Sequence, residues 1–521
     1  MRRSNGQWEM FGYLAADIRR AHRLTADSGA MACIPLDAEV ASDISAPAVK
    51  RDATRWIRWS TLAAIVVVAL VVRYQFVDFE TMDYRAFLSR WYQTIADAGG
   101  FAAFKNQFAD YNYPYLYLLA ILTYLKVPAL IGVKAISFLF EVLLAFFAYR
   151  IVALKTQRFT LRALAFGVVL LLPSVVANGS IWGQADAVYS ACAVGGVYFL
   201  MRAQASGRWR SNSWWACVFF GLAVSFKLQA VFVLPVLAFL LLRRKLPWYT
   251  LSAIPAVYLL LDFPALVVGA PWRTVFSVYL DQADSYKQLT LGAANLYQLI
   301  PVSGDVTWLA HAGIACAAVL IVGFLAWSVW KRPAVTPTTI LLAATASAVI
   351  VPFLLPAMHD RYFYVAEILS VVLAFYLPLR YVVIPVLIQA AAIGVYYSSL
   401  TGDQGRSIGF GGQGNGGQGH GGPWDGAGGP GGARDGDGHG WPGGNQGGQH
   451  DGGGHGPDGG GGYTSGRGDS ALTVYGSMMA LAVMSVVWAM VSVFRKVSPT
   501  GHRAAELSVS RAHDSPAVSR A

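Results

Sequence analysis

Apolar runs about as long as a bilayer crossing alternate along this chain with polar stretches of two kinds. One kind is brief and basic, and the other is longer and richer in acids and aromatic residues. A spanning helix needs about 20 mostly apolar residues. Such runs, some on the short side, fall at 59–77, 131–149, 163–177, 185–201, 214–226, 230–242, 251–268, 306–330, 339–356, 362–377, 382–397 and 472–494. They predict an all-α polytopic membrane protein with about twelve transmembrane helices, roughly eleven to thirteen. The runs at 214–226 and 230–242 are short, which predicts a tight or broken hairpin covered by protein or lining a wet cavity. Residues 113–128 are apolar but shorter than a crossing and are bracketed by Pro114 and Pro128. They predict an interfacial helix in the first outside loop.

The basic clusters orient this pattern. Lys50, Arg51, Arg55 and Arg58 precede the first run, and Arg150, Lys155, Arg158 and Arg162 follow the second. Further clusters are Arg202 with Arg208 and Arg210, Arg243 to Lys245, Lys331 with Arg332, Arg380, and Arg495 with Lys496. Placing them all in the cytoplasm puts both termini inside. Counting 113–128 as a span would reverse every later loop and send the basic clusters outside.

The same reading divides the chain. Residues 1–58 are a cytoplasmic tail, because the first apolar run starts near Thr61 and no short basic head leads into a cleavage site. Residues 59–398 are the transmembrane core, with a first outside loop at 78–130. Residues 399–469 are dominated by Gly with Asp, Gln and His, lack a core-forming pattern, and predict a disordered outside loop. Its histidines His420, His439, His450 and His455 follow no ligand spacing, and no Gly-X-Y register runs through it. Residues 470–494 form the final transmembrane helix and 495–521 a cytoplasmic tail.

Composition agrees with a membrane solvent. Of 521 residues 55% are hydrophobic and 13% are Asp, Glu, Lys or Arg, against roughly 25% charged in soluble domains. The net charge of +11 lies in juxtamembrane clusters, so no nucleic-acid partner is expected. Cys33, Cys192, Cys217 and Cys316 form no CxxC pair and predict neither a disulfide framework nor a metal site.

With this topology the chemistry-bearing residues collect outside. They are Asp78, Glu80 and Asp83; Asp110, Tyr111 and Asn112; Asn178, Trp182, Gln184 and Asp186; Lys227 and Gln229; Asn295 and Tyr297; and His359, Asp360, Arg361 and Tyr362. Each has a plain alternative, a solvated loop acid for Asp83 or a snorkelling cation for Lys227. Ionisable groups at membrane depth are nevertheless costly and are usually retained for work. A carboxylate can deprotonate a hydroxyl acceptor, and cations can hold a phosphate through charge-assisted hydrogen bonds. These are the parts needed to move a sugar from a lipid phosphate to an acceptor.

Several stretches carry a resemblance. They are Asp83-Tyr84 with Trp91-Tyr92, the aromatic run at 110–119, the Asn-Gly-Ser-Ile-Trp-Gly-Gln-Ala-Asp run at 178–186, Phe-Lys-Leu-Gln at 226–229 with Pro235, Asn295-Leu-Tyr297, and Met-His-Asp-Arg-Tyr-Phe at 358–363. In this order they resemble the GT-C superfamily of integral membrane glycosyltransferases, and within it bacterial relatives of the mannosyltransferases that build glycosylphosphatidylinositol anchors. The chain departs from the pattern at Asp360, where Glu is more usual, and in its glycine-rich insert.

The resemblance implies a GT-C-like fold and a polyprenyl-phosphate sugar donor. A hexose such as mannose would pass by single displacement to a lipid or glycan acceptor. It implies Asp83 as the catalytic carboxylate, with Lys227, Gln229, His359, Arg361 and Tyr362 at the donor phosphate or sugar. Glu80, Tyr84, Asp110, Asn112, Trp182, Gln184, Asp186, Asn295 and Tyr297 would line the acceptor or sugar. It implies a bacterial inner membrane with the site facing the periplasm or exterior. No metal ligands are assigned, and a divalent cofactor is not indicated. The rival class, a transporter or flippase of lipid-linked saccharides, should show internal repeats or polar groups along a path through the bilayer. No repeats are evident in the chain.

Overall fold

The computed structural model describes residues 46–284, 286–402 and 462–496. The expectations for most of the N-terminal tail, Cys33, most of the glycine-rich insert with its four histidines, and the C-terminal tail lie outside the described residues. Contacts divide the chain at residue 60, with units 1–60 and 61–521. Of the first unit, the described part is the opening of one helix.

Fifteen α-helices of eight residues or more lie among the described residues. They are α1 (Ala46–Tyr74), α2 (Ser89–Asp97), α3 (Tyr113–Tyr124), α4 (Ala129–Lys155), α5 (Phe159–Leu171), α6 (Asp186–Ser206), α7 (Trp209–Phe226) and α8 (Pro235–Leu242). Then follow α9 (Ala253–Val268), α10 (Trp272–Asp284), α11 (Thr307–Lys331), α12 (Pro337–Leu354), α13 (Tyr364–Ala374), α14 (Val383–Thr401) and α15 (Ser470–Lys496). Seven helical stretches are long and apolar enough to cross a membrane: Arg55–Tyr74, Ala129–Lys155, Trp248–Val268, Thr307–Lys331, Pro337–Leu354, Leu379–Thr401 and Ser470–Arg495. Phe159–Leu171 and Pro173–Trp182, bent by 43° at the break, make an eighth if they are one span. This is a mostly helical, membrane-embedded protein.

Helices α6 and α7 have spanning length but are less apolar, because they bury polar side chains inside the protein. Asp186, Ser190, Asn212, Ser213 and Ser225 on these two helices are all buried. Helix α6 packs on both α4 and α7 at the centre of the largest apolar cluster. Small residues allow the close approach. A Cβ at Gly196 would lie 2.8 Å from the Phe220 ring, and one at Gly195 2.6 Å from Phe219.

The structure corrects several sequence expectations. Helix α1 starts at Ala46, inside the region read as a tail, since nothing between 46 and 58 breaks a helix except Pro47 at its first turn. Residues 178–184 are not a simple loop; a π-helical turn at Ala177–Trp182 continues the bent helix before Gly183 ends it at φ +75°. The segment 269–304, between two apolar runs, contains α10 and a short strand, β1 (Thr290–Leu291), parallel to β2 (Met358–His359).

The glycine-rich segment is also shorter than its composition predicts. Residues 399–401 finish α14. On the far side, the Leu289 amide donates to Thr464 and the Val306 amide to Tyr463. Arg467 Nε bonds the Gln298 carbonyl at 2.9 Å. The backbone carbonyls of Tyr463 and Thr464 and the side chain of Arg467 thus tie this stretch down.

Helix α3 has 12 residues, a length of about 18 Å that cannot cross a bilayer core of about 30 Å. The hairpin at 214–242 is broken as its pattern predicts. Helix α7 ends at Lys227, whose backbone is extended (φ −157°), and a 3₁₀ turn at Leu228–Val233 leads into α8.

Candidate functional site

An open cavity lies where several helix ends meet. Asp83, Phe87, Leu88, Trp91, Asp110, Tyr111, Gln184, Lys227, Gln282, Tyr286, His359, Arg361 and Tyr362 line it. Local sequence explains the convergence. The linker after α1 is tied down by Lys134 on α4, whose ammonium donates to the carbonyls of Phe76, Val77 and Phe79. A π-helical turn, Tyr84–Leu88, follows Asp83 directly. π-turns recur at functional sites because they re-aim side chains out of the regular helical order. Here Asp83, Phe87, Leu88 and Trp91 share one wall.

Asp83 is held from a second π-turn. Trp182 Nε1 donates to its Oδ2 at 3.0 Å and Gln184 Nε2 at 2.9 Å. Thr81 Oγ1 closes the bracket by donating to the Trp182 carbonyl at 3.0 Å. Arg361 Nη1 lies 3.4 Å from the same Oδ2.

The cavity floor is a buried ion pair. Lys227 donates to Asp186 Oδ1, and Asn178 Nδ2 donates to Asp186 Oδ2 at 3.0 Å. The Lys227 ammonium also lies 5.3–5.9 Å from the ring centres of Tyr111, Tyr189 and Tyr362, a cation–π cage. The helix break at Lys227 directs it here.

The third wall is built by β2. Pairing with β1 and the bond from the Asp360 amide to the Leu291 carbonyl fix the turn that carries His359, Asp360 and Arg361. Asp360 accepts from Ser399 Oγ at 2.7 Å and from Arg361 Nη1 at 3.3 Å. Burial, with Arg361 and Lys227 nearby, pushes the His359 imidazole well below its ordinary range, so it is neutral at pH 7. Burial alone would lower Arg361, but the carboxylates of Asp83 and Asp360 together hold it well above its usual value. Burial raises the Asp360 carboxyl against the pull of Arg361.

The structure therefore brings Asp83, Asp110, Gln184, Lys227, His359, Arg361 and Tyr362 together on the cavity wall, with Trp182 and Asp186 directly behind them. It does not bring the others there. Glu80 pairs with Arg85 at the surface, 2.8 Å apart, and Tyr84 is buried in a satellite apolar cluster. Asn112 is buried and donates to the Ser225 carbonyl at 3.0 Å, a brace two residues before Lys227. Gln229 is buried off the cavity wall. Asn295 and Tyr297 fold away from the cavity; the Tyr297 hydroxyl caps the Leu354 carbonyl at 2.7 Å.

Sequence reasoning missed Phe87, Leu88, Gln282 and Tyr286. Gln282 lies in the last turn of α10 and Tyr286 just beyond its end, between the apolar runs. The one available signal was the amphipathic spacing of 272–284.

Among the described residues no group of three or more His, Cys, Asp or Glu side chains is arranged to hold a metal. No family model matches the chain, and no curated protein matches it.

Proposed function

We propose that this protein is a GT-C-like membrane glycosyltransferase that uses a polyprenyl-phosphate sugar, a hexose such as mannose, and an acceptor hydroxyl on a lipid or glycan. The observation that carries the reading is the cavity itself. Carboxylates and cations from four separate segments, Asp83, Asp110, Lys227 and Arg361, meet at helix ends in a membrane protein, beside aromatic rings that suit a sugar face. The core of about twelve spans is part of this reading; seven or eight helical stretches are long and apolar enough to cross, and α6 and α7 have spanning length. The basic clusters favour a cavity on the extracytoplasmic side of a bacterial inner membrane.

In the proposed step the acceptor oxygen forms a bond to the anomeric carbon. The bond from that carbon to the phosphate oxygen breaks on the opposite face, and its electron pair leaves with the lipid phosphate. Asp83 takes the acceptor proton. Arg361 stabilises the charge gathering on the phosphate. Lys227 is already paired with Asp186, so it acts by fixing the floor and the Tyr111 and Tyr362 rings.

The test is transfer by purified protein in detergent against a panel of polyprenyl-phosphate sugars. Asp83→Asn should lower turnover at least about 100-fold, the usual scale of positioned acid–base catalysis. Glu80→Gln, whose carboxylate is spent on Arg85, should lose far less. Turnover of Asp83→Asn within about threefold of wild type would remove Asp83 from the step. Absence of transfer from every donor, together with sugar-lipid movement across vesicles, would favour the flippase class instead.

A further inference from the structure

Arg361 is unusual in how its charge is met. It stands 3.3 Å from Asp360, 3.4 Å from Asp83 and 3.8 Å from Asp186. Only the Asp360 contact is a hydrogen bond, and it is a long one. Its Nε is buried and makes no hydrogen bond. A guanidinium carries five donors, and charge-assisted bonds to carboxylate normally close to about 2.7–2.9 Å.

The same chain shows what a satisfied arginine looks like. Arg73 donates through Nε to Glu141 at 2.8 Å, through Nη2 to the Leu170 carbonyl at 2.8 Å, and through Nη1 to the Ala69 carbonyl at 3.1 Å. Arg361 is thus spread over three carboxylates and bound closely by none, and it faces the cavity with donor capacity left over.

We propose that Arg361 is a shared counter-ion that the donor's phosphate takes from Asp83, so that donor binding itself readies Asp83 for the acceptor. This rests on the reading of the cavity as a lipid-phosphate sugar site. A phosphate offers Arg361 two oxygens at close range. As the guanidinium turns to it, Asp83 gives up its contact with this cation and keeps the neutral donors Trp182 and Gln184. Its negative charge is then directed at the acceptor hydroxyl only when a donor is seated. Without a donor, Arg361 and Asp83 hold each other, which disfavours activating water or acceptor in an empty site.

The consequence is counter-intuitive for a catalytic base. Removing Asp83's charge should improve phosphate binding, because Arg361 no longer has to be drawn away. The probes are a short-chain prenyl monophosphate and, separately, inorganic phosphate, titrated onto the full chain in detergent. Asp83→Asn should bind prenyl phosphate about threefold or more tightly than wild type, the scale of one modest ion pair. Asp360→Asn should shift the same way, which covers the case in which Asp83→Asn does not fold.

Asp110→Asn is the control. It removes a cavity carboxylate that makes no ion pair with Arg361 among the described residues, and it should give a clearly smaller gain. Adding Arg361→Ala to Asp83→Asn should abolish the gain. Inorganic phosphate following the same ranking would locate recognition in the headgroup; a response to the prenyl ester alone would still support the exchange, with the lipid chain needed for entry. Equal tightening by Asp83→Asn and Asp110→Asn would reduce the effect to general repulsion and overturn the proposal. Unchanged or weaker binding in both Asp83→Asn and Asp360→Asn would overturn it too. Wild-type protein that turns over no polyprenyl-phosphate sugar would instead sink the functional reading, and the two failures are read in different assays.

Discussion

Two arginines in this protein face buried carboxylates and are treated oppositely. Arg73, at the end of α1, and Glu141, midway along α4, make a closed site: both side chains are almost fully buried, and every nitrogen of the guanidinium has a near partner. Arg361 makes an open one, with long contacts, an unbonded Nε and a cavity in front of it. The difference lies in what each can still gain. A saturated guanidinium can only lose by moving, so it fixes helices. An under-satisfied one at a cavity gains by meeting an anion, so it is available for recognition. Long ion-pair distances are in this sense more informative about function than short ones.

The largest effect should separate the two on stability. Arg73→Ala strands Glu141 inside the bundle, and breaking a buried pair from one side costs about 3–5 kcal/mol. Arg361→Ala leaves Asp83 and Asp360 partly open to the cavity, with Asp186 still paired to Lys227, and should cost clearly less than Arg73→Ala. Thermal unfolding of both in one detergent checks this; similar losses would erase the distinction. The double change Arg73→Met with Glu141→Leu should recover most of the loss, because it leaves no unpaired charge.

A smaller effect sharpens the closed site. A Cβ at Gly179 would sit 1.9 Å from Glu141 Oε1, so Gly179→Ala must push the carboxylate off Arg73. Overpacking of this kind costs about 1–3 kcal/mol. The loss should largely vanish in a Glu141→Leu/Arg73→Met background, where no carboxylate is held in place. An undiminished loss there would mean that Gly179 serves the backbone of its π-turn instead.

The smallest effect belongs to the open site and is a matter of pH. His359 has a folded pKa below that of an unfolded imidazole, about 6.5. The stabilisation from keeping it neutral is complete above that value and is lost as pH falls through the folded value. Wild type should therefore lose stability between about pH 6.5 and 5 more steeply than His359→Gln. Parallel pH curves for the two proteins would show that the ring is not buried against Arg361 and Lys227 in solution.

The sequence was most legible where chemistry and helix ends coincide. Asp83, Lys227 and Arg361 could be picked out because an ionisable residue beside an apolar run is conspicuous, and all three reach the cavity. The break at Lys227 was readable from the shortness of its flanking runs. Asn295 and Tyr297 belonged to an equally suggestive motif, yet Asn295 bonds the Leu289 carbonyl and Tyr297 the end of α12, because motif spacing carries no information about which way a loop turns. The Arg73–Glu141 pair was invisible for a different reason. Its partners are 68 residues apart, and each alone looks like a stray charge in an apolar helix. Residues 462–469 were misread because averaged composition hid the few side chains that dock them.

The Arg73–Glu141 pair also constrains how the chain can enter a membrane as it is made. Helix α1 emerges before α4, carrying an arginine near its end whose partner does not yet exist. Left alone at membrane depth, such a charge is costly, about 2.5–3.5 kcal/mol at a helix centre and less toward the edge. Glu141 arrives only with α4, after the Asp83 loop and the short helix α3 have been synthesised. Helix α1 is therefore expected to wait at the insertion machinery or the bilayer edge until α4 joins it, and the two to settle together. By then the loop bearing Asp83 has been closed between two paired helices, so the Asp83 wall of the cavity would be among the early tertiary structures this protein completes during its own biosynthesis.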